Sequence, residues 1–197
     1  MWIDLTEGIG DYTVFRNTIK TMESAGISSL LINSGSFDLL ELGSELTEII
    51  DFPRTNIPLL NTILSNNRTS KILRNLDSKD IPRVAMVNWK LIPGFLNARK
   101  RNPGLRRCKV IIEDRSPPVG RGAAPSLQWR FYDRAWKKAV SRVDMANVLV
   151  PSLEDFIRKR FGVPSNFHFI HTPSGVDVKR FHPDLEYQSL SQVIRIV

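Results

Sequence analysis

Three charged residues in a row, Glu113-Asp114-Arg115, are the part of this chain best suited to chemistry. They follow the apolar run Lys109–Ile112 directly and precede Ser116-Pro117-Pro118. Charged side chains just beyond a buried strand stand at the mouth of an open α/β sheet, where such folds take their ligands. There Asp114 could orient a hydroxyl, and Arg115 could hold Asp114 or meet a phosphate. The same triplet also suits a simple Asp–Arg turn that caps the strand. A second candidate is Gly8-Ile9-Gly10, where the chain turns into an expected helix. Glycines at a helix start let backbone N–H groups approach a diphosphate closely, and a plain tight turn uses the same residues. The third glycine of the dinucleotide fingerprint would fall at Thr13, and the strand ending at Ile32-Asn33 offers no acid for a ribose. A nicotinamide-dependent oxidoreductase is therefore disfavoured.

Other reactive types carry less. The single cysteine, Cys108, excludes an internal disulfide, suits a reducing compartment and reads as a packed core thiol. His168 and His171 are three apart in an expected strand, so they face opposite sides and cannot clamp one metal. No structural metal and no cofactor is expected.

Charge is unevenly spread. Between Arg99 and Arg142 stand 13 Lys and Arg against Glu113, Asp114 and Asp133, so the net +8 of the 197-residue chain belongs to this region. Such a patch should form one face or rim and attracts phosphate, nucleic acid or an anionic bilayer. A solvated cationic surface without a partner has the same composition. The hydrophobic fraction, 42%, is enough for a core, yet no segment approaches the ~20 consecutive apolar residues of a membrane span. No leader pattern opens at Met1. A cytoplasmic location is expected, with the basic region available to a membrane surface.

The elements that must position these residues alternate strand and helix. Met1–Leu5 is a brief apolar start, and Tyr12, Phe15, Ile19 and Met22 give residues 11–25 helical spacing, closed by Gly26. Ile27–Ile32 reads as a buried strand. Leu39–Ile50 is leucine-rich, Glu48–Phe52 suits a short strand, and Pro58–Leu76 a helix. Arg83–Trp89 is the next strand, and Pro93–Lys100 a short helix closed by Asn102-Pro103-Gly104. Val119–Ala124 has no periodicity and is expected to be a loop. In Ser126–Val143, Trp129, Tyr132, Trp136, Val140 and Val143 share one helical face, with Arg130, Arg134, Lys137 and Lys138 largely on the other. The aromatic stripe reads as core rather than as a platform for bases. Asn147–Val150 then leads through Pro151-Ser152 into an amphipathic helix ending at Phe161-Gly162, followed by a strand at Phe167–Ile170.

That alternation predicts an α/β fold: a Rossmann-like parallel sheet with helices on both faces. The end of the series is more specific. Ala146, Asn147, Val150, Ser152, Pro173, Gly175, Val176, Asp177, Phe181 and Pro183 follow the strand-end and "P-x-G-V-D-x-x-x-F-x-P" pattern that closes the first domain of GT-B retaining glycosyltransferases of family 4. Ser174 stands where that family usually has Asn. Glu7-Gly8-Ile9-Gly10-Asp11-Tyr12 is similar to the family's "GGIGRY" loop, with Glu7 in place of its first glycine. The chain thus resembles one lobe of a GT-B fold, the acceptor-side domain spanning residues 1–183.

The resemblance implies transfer of a sugar, with retention, from a nucleotide-sugar donor to a lipid-linked or glycan acceptor. It implies Asp114 and Arg115 as catalytic candidates, and Gly8, Ile9, Gly10, Glu113 and Gly175 as donor-phosphate or substrate contacts. Many members carry His-Asp in the loop where this chain has Glu113-Asp114-Arg115. Residues 184–197 read as a linker and the first strand of a donor-binding lobe whose Glu-x7-Glu element is not in this sequence, so the chain is expected to be inactive alone. The alternative is a non-catalytic binding module that uses residues 99–142 for nucleic acid or anionic lipid, nucleic acid being the less favoured. A nucleotide-dependent enzyme of another class on the same superfold lacks the acid or base constellation it would need.

Overall fold

The computed structural model describes residues 1–4, 18–33, 47–53, 57–115, 117–120 and 122–172. Among them seven strands form one parallel sheet: β1 (Trp2–Asp4), β2 (Ser29–Asn33), β3 (Thr47–Asp51), β4 (Val84–Asn88), β5 (Lys109–Asp114), β6 (Met145–Val148) and β7 (His168–His171). Their spatial order is β3-β2-β1-β4-β5-β6-β7, every pairing parallel. The labelled helices are α1 (Pro58–Asn75), α2 (Ile92–Arg101), α3 (Ala123–Ala139) and α4 (Pro151–Phe161), and residues 18–24 are also helical. The fold is the expected Rossmann-like α/β architecture.

Handedness distributes the helices. From β1 the chain steps outward one way to β2 and β3, and from β4 the other way to β5, β6 and β7. Right-handed crossovers therefore put the helical residues 18–24 on one face and α2, α3 and α4 on the other. Helix α1, which carries the chain from β3 to β4, packs on α2 and so belongs to that second face. Between the layers Ile3, Val87, Ile112 and Ala146 pair in one register row across four strands, and none is exposed. That row is a parallel-sheet core of the kind that short, nearly continuous apolar strands build.

Helix ends follow from particular residues. Pro58 and Pro151 open α1 and α4, where a missing N–H costs nothing. Gly162 closes α4 with a left-handed φ of 62°. Asn66, in the middle of α1, meets the start of α2: its Oδ1 accepts from Gly94 N at 2.6 Å and its Nδ2 donates to Lys90 O at 2.7 Å. The helices are so close there that a Cβ on Gly94 would lie 2.4 Å from the Asn66 carbonyl oxygen. Asn102-Pro103-Gly104 is more than a breaker. Pro103–Arg107 forms a 3-10 helix, and Asn102 Nδ2 donates to the Leu73 and Leu76 carbonyls at the end of α1, 3.0 and 3.1 Å away.

Four differences from the sequence reading bear on the site and its supporting helices. Strand β5 runs to Asp114, so Glu113 and Asp114 are its last two residues rather than the loop beyond it. Strand β6 lies two residues earlier than Asn147–Val150, because Met145 and Ala146 already pair with Ile111 and Ile112, and half-exposed Val150 precedes α4. Helix α3 starts at Ala123, directly after Gly122 at φ 110°, which takes the end of the expected loop into the helix. It ends at Ala139, four residues before Val143, where Arg142 N and Val143 N both fold back onto the Ala139 carbonyl. Residues 5–17, 34–46 and 173–197 lie outside the described residues, and with them most of the first helix, the leucine-rich stretch and the expected linker at 184–197. Among the described residues no helix is long and apolar enough to cross a membrane.

Candidate functional site at the carboxyl edge of the sheet

Because all seven strands are parallel, the chain leaves each of them at the same edge. It exits β1 after Asp4, β5 after Asp114 and β7 after His171, so the segments that follow all start from one rim. The order also reverses between β1 and β4, the point at which open α/β sheets hold ligands. Registers add a chemical regularity. Asn88 pairs with Glu113 and Glu113 with Asn147, while Asp4 pairs with Asn33 and Asn33 with Asp51. Since Ile3 pairs with Val87, both triplets sit at one level, a polar row along the carboxyl ends of six strands.

Strand alternation sends the two neighbouring carboxylates to opposite faces. Asp114 faces α3. It is wholly buried, and its Oδ2 accepts hydrogen bonds from Tyr132 Oη at 2.6 Å and Trp136 Nε1 at 2.8 Å. The two donors stand one turn apart on α3, so one carboxylate oxygen ties that helix to the strand end. Burial pushes the Tyr132 phenol far above its ordinary range, and the neighbouring Asp114 charge and hydrogen bond push it further. The phenol therefore stays a donor. Around it Trp89, Trp129 and Phe161 pack edge-on or tilted, with ring centroids 5.0, 5.4 and 5.8 Å away. The aromatic stripe is core, as its spacing implies.

Glu113 faces the other side, on the level of Asn88 and Asn147. Its side chain is 1% exposed, and its Oε1 accepts from Arg115 Nε at 3.0 Å, Arg115 itself being 27% exposed. On the next strand Asn147 Oδ1 accepts from Thr172 Oγ1 at 2.7 Å. Further along the rim, Glu154 in the first turn of α4 bonds Arg158 Nε through one oxygen and His171 Nε2 through the other, each at 2.7 Å. A charged guanidinium held by a buried carboxylate is well placed to meet a phosphate or a sugar hydroxyl. Asp114 can act only by positioning from where it stands, whereas Arg115 reaches solvent.

Of the residues singled out from sequence, Glu113, Asp114 and Arg115 stand together at this rim, with the two carboxylates facing apart. Gly8, Ile9, Gly10 and Gly175 lie outside the described residues. The reading missed Asn88, Thr172 and the Glu154–His171 pair, and it took Tyr132 and Trp136 for core alone. The signal for the last two was legible: two aromatic donors at i and i+4, facing a strand that ends in a carboxylate. The basic region also divides. Lys109 pairs with Asp144 at 2.8 Å and Arg115 with Glu113, so part of its charge is neutralised. Cys108 is buried as expected, and burial pushes its thiol up. Compared with known proteins, the chain matches no family model and no curated protein.

Proposed function

We propose that this chain is the acceptor-side lobe of a GT-B retaining glycosyltransferase of family 4, which takes a nucleotide-sugar donor and passes its sugar to a hydroxyl of a lipid-linked or glycan acceptor. The observation that carries the reading is the pair of adjacent strand ends bearing Glu113–Arg115 and Asn147–Thr172, beside the switch point between β1 and β4. The sequence pattern at residues 146–183 adds to it. In this reading Arg115 stabilises charge developing on the leaving diphosphate, and Glu113 fixes its fork. Asp114, through Tyr132 and Trp136, keeps the end of β5 in register with α3. In the same reading the Gly8-Ile9-Gly10 segment brings backbone N–H groups to the donor phosphates. Gly175 lets the loop after β7 approach the sugar closely.

The main donor contacts come from a second lobe across the crevice, and closure between lobes excludes water from the transfer. The enzyme works at the cytoplasmic face of an anionic membrane. The test is transfer of labelled sugar from a panel of nucleotide sugars by this lobe combined with its donor-binding lobe. Arg115→Ala should lower turnover about 10²-fold or more, and Gly8→Val or Gly10→Val should abolish it. Transfer that is unchanged in all three variants would remove the assignment. Acceptor glycosides added to the lobe alone should shift the backbone amide resonances of Arg115, Asn147 and Thr172.

A further inference from the structure

The amino edge of the sheet, opposite the rim, carries a second cluster that the proposed transfer does not use. A hollow of about 500 Å³ is lined by Leu96, Arg99, Lys100, Arg106 and Arg142. An adjoining hollow of about 270 Å³ shares Leu96, Lys100 and Arg142 with it and adds Lys138. Five cations thus converge from the last turns of α2 and α3 and from the turns that lead into β5 and β6.

The cluster is ordered from within. Arg99 donates to the carbonyls of Arg142, Arg106 and Cys108 at 2.9, 3.2 and 3.2 Å, pinning three turns of chain around the hollow. Arg106 donates to the Lys100 carbonyl at 3.3 Å. These acceptors are neutral and cancel no charge. Among the described residues no carboxylate pairs with Lys100, Arg106, Lys138 or Arg142. The nearby acid, Asp144, already binds Lys109 Nζ and Val110 N. Two helix carboxyl ends offset roughly one unit of positive charge between them, which leaves most of the five. Burial, and then the charges of Arg134, Arg142 and Lys100, lower the affinity of Lys138 for its proton. The cations repel one another in the free protein, and a bound anion relieves that repulsion.

Charge density narrows the class. The two hollows are shallow and adjoin at Leu96 and Lys100, and five cations gathered on so small a patch match a compact anion of several charges. Arginine forks and lysine ammonium groups together are the usual donors to phosphate.

We propose that this groove is a binding site for a compact ligand bearing two or more phosphates, separate from the carboxyl rim. The experiment is calorimetric titration of the whole chain with inorganic tripolyphosphate in physiological salt. Parallel arms use pyrophosphate, sulfate, a single-stranded oligonucleotide, and vesicles of phosphatidic acid in phosphatidylcholine. Tripolyphosphate should bind saturably at one site per chain. The pair Lys100→Ala with Arg142→Ala, both exposed side chains, should weaken it at least tenfold. Lys20→Ala with Arg130→Ala removes the same charge elsewhere and should change it less than twofold. Equal losses in the two double variants would reduce the groove to a general field and overturn the site. So would the absence of saturable tripolyphosphate binding, or binding of vesicles or oligonucleotide that tripolyphosphate does not displace.

Discussion

Tyr132→Phe removes one oxygen and with it one of the two donors seen on Asp114 Oδ2. Tyr132, Trp136 and Asp114 are all 0% exposed, so no water can take the place of the lost hydroxyl without opening the core. A hydrogen bond to a charged group contributes about 1.5–3 kcal/mol, and the expected loss is about 2 kcal/mol. For a chain of this size that is a fall in Tm of about 4–8 °C. Urea unfolding at pH 8 should show the midpoint shifted with its slope unchanged. Alkaline pH gives the sharper test. The phenol is raised far above its ordinary value of 10.0, by burial first and then by Asp114. In the unfolded chain it ionises near pH 10, while in the folded chain it keeps its proton. The folded state therefore binds more protons above that pH, and the wild type loses about 1.4 kcal/mol per pH unit that the variant does not lose. The stability gap should be full below about pH 10 and close between about pH 11 and 12. A gap under about 0.5 kcal/mol at pH 8, or one that stays constant to pH 11.5, would refute the pairing.

Gly94→Ala should destabilise by about 1–3 kcal/mol in urea unfolding, because its Cβ meets the Asn66 backbone at the closest approach of α1 and α2. Asp144→Asn tests the amino edge. Burial alone would raise that carboxyl, but hydrogen bonds from Lys109 and Val110 N, with Arg99 nearby, hold it below its ordinary 3.8. Its contribution is thus present above about pH 4 and lost as pH falls through the lowered value. The Lys109 side chain is 73% exposed, so the difference at pH 7 should be no more than about 1 kcal/mol and should vanish near pH 2 in acid-unfolding curves. Cys108 should react with an aromatic disulfide reagent only as fast as the chain unfolds, since burial raises its thiol. Rapid labelling of the folded chain would place the residue outside the core. Asp114→Asn should lower stability and sugar transfer together. A loss of transfer well beyond the folding loss would give its carboxylate a direct part in the reaction.

The fold was largely legible because its strands are short apolar runs with polar ends. VAMVN, KVIIED and MANV each stop on or near a polar residue, and these residues fall into register when the strands pair. What sequence could not supply was where one layer stops and the next begins. The apolar period that runs to Val143 continues past the end of α3, because the turn at Ala139–Val143 buries Val143 against the same core the helix covers. A helical pattern therefore overshoots wherever a following turn reuses the face. The β6 shift has a different origin. Asp144 N bonds the Val110 carbonyl and its carboxylate bonds Val110 N, so a polar residue starts the pairing that an apolar search would begin later.

The site was half legible for a related reason. A run such as Glu113-Asp114-Arg115 announces a strand end in an α/β sheet, yet the run itself does not say which carboxylate turns onto α3. Alternation decides that, and alternation depends on register. With β5 extended to Asp114, the acid at the last position turns inward onto α3, and its predecessor turns to the side shared with Asn88 and Asn147. Asp114, the residue that seemed able to orient a hydroxyl, is held by two aromatic donors 18 and 22 residues away, while Glu113, itself 1% exposed, holds Arg115, the one of the three that reaches solvent. A one-residue slip in the register of β5 would swap the faces of Glu113 and Asp114, so the chemistry of this rim rests on the pairing of one strand.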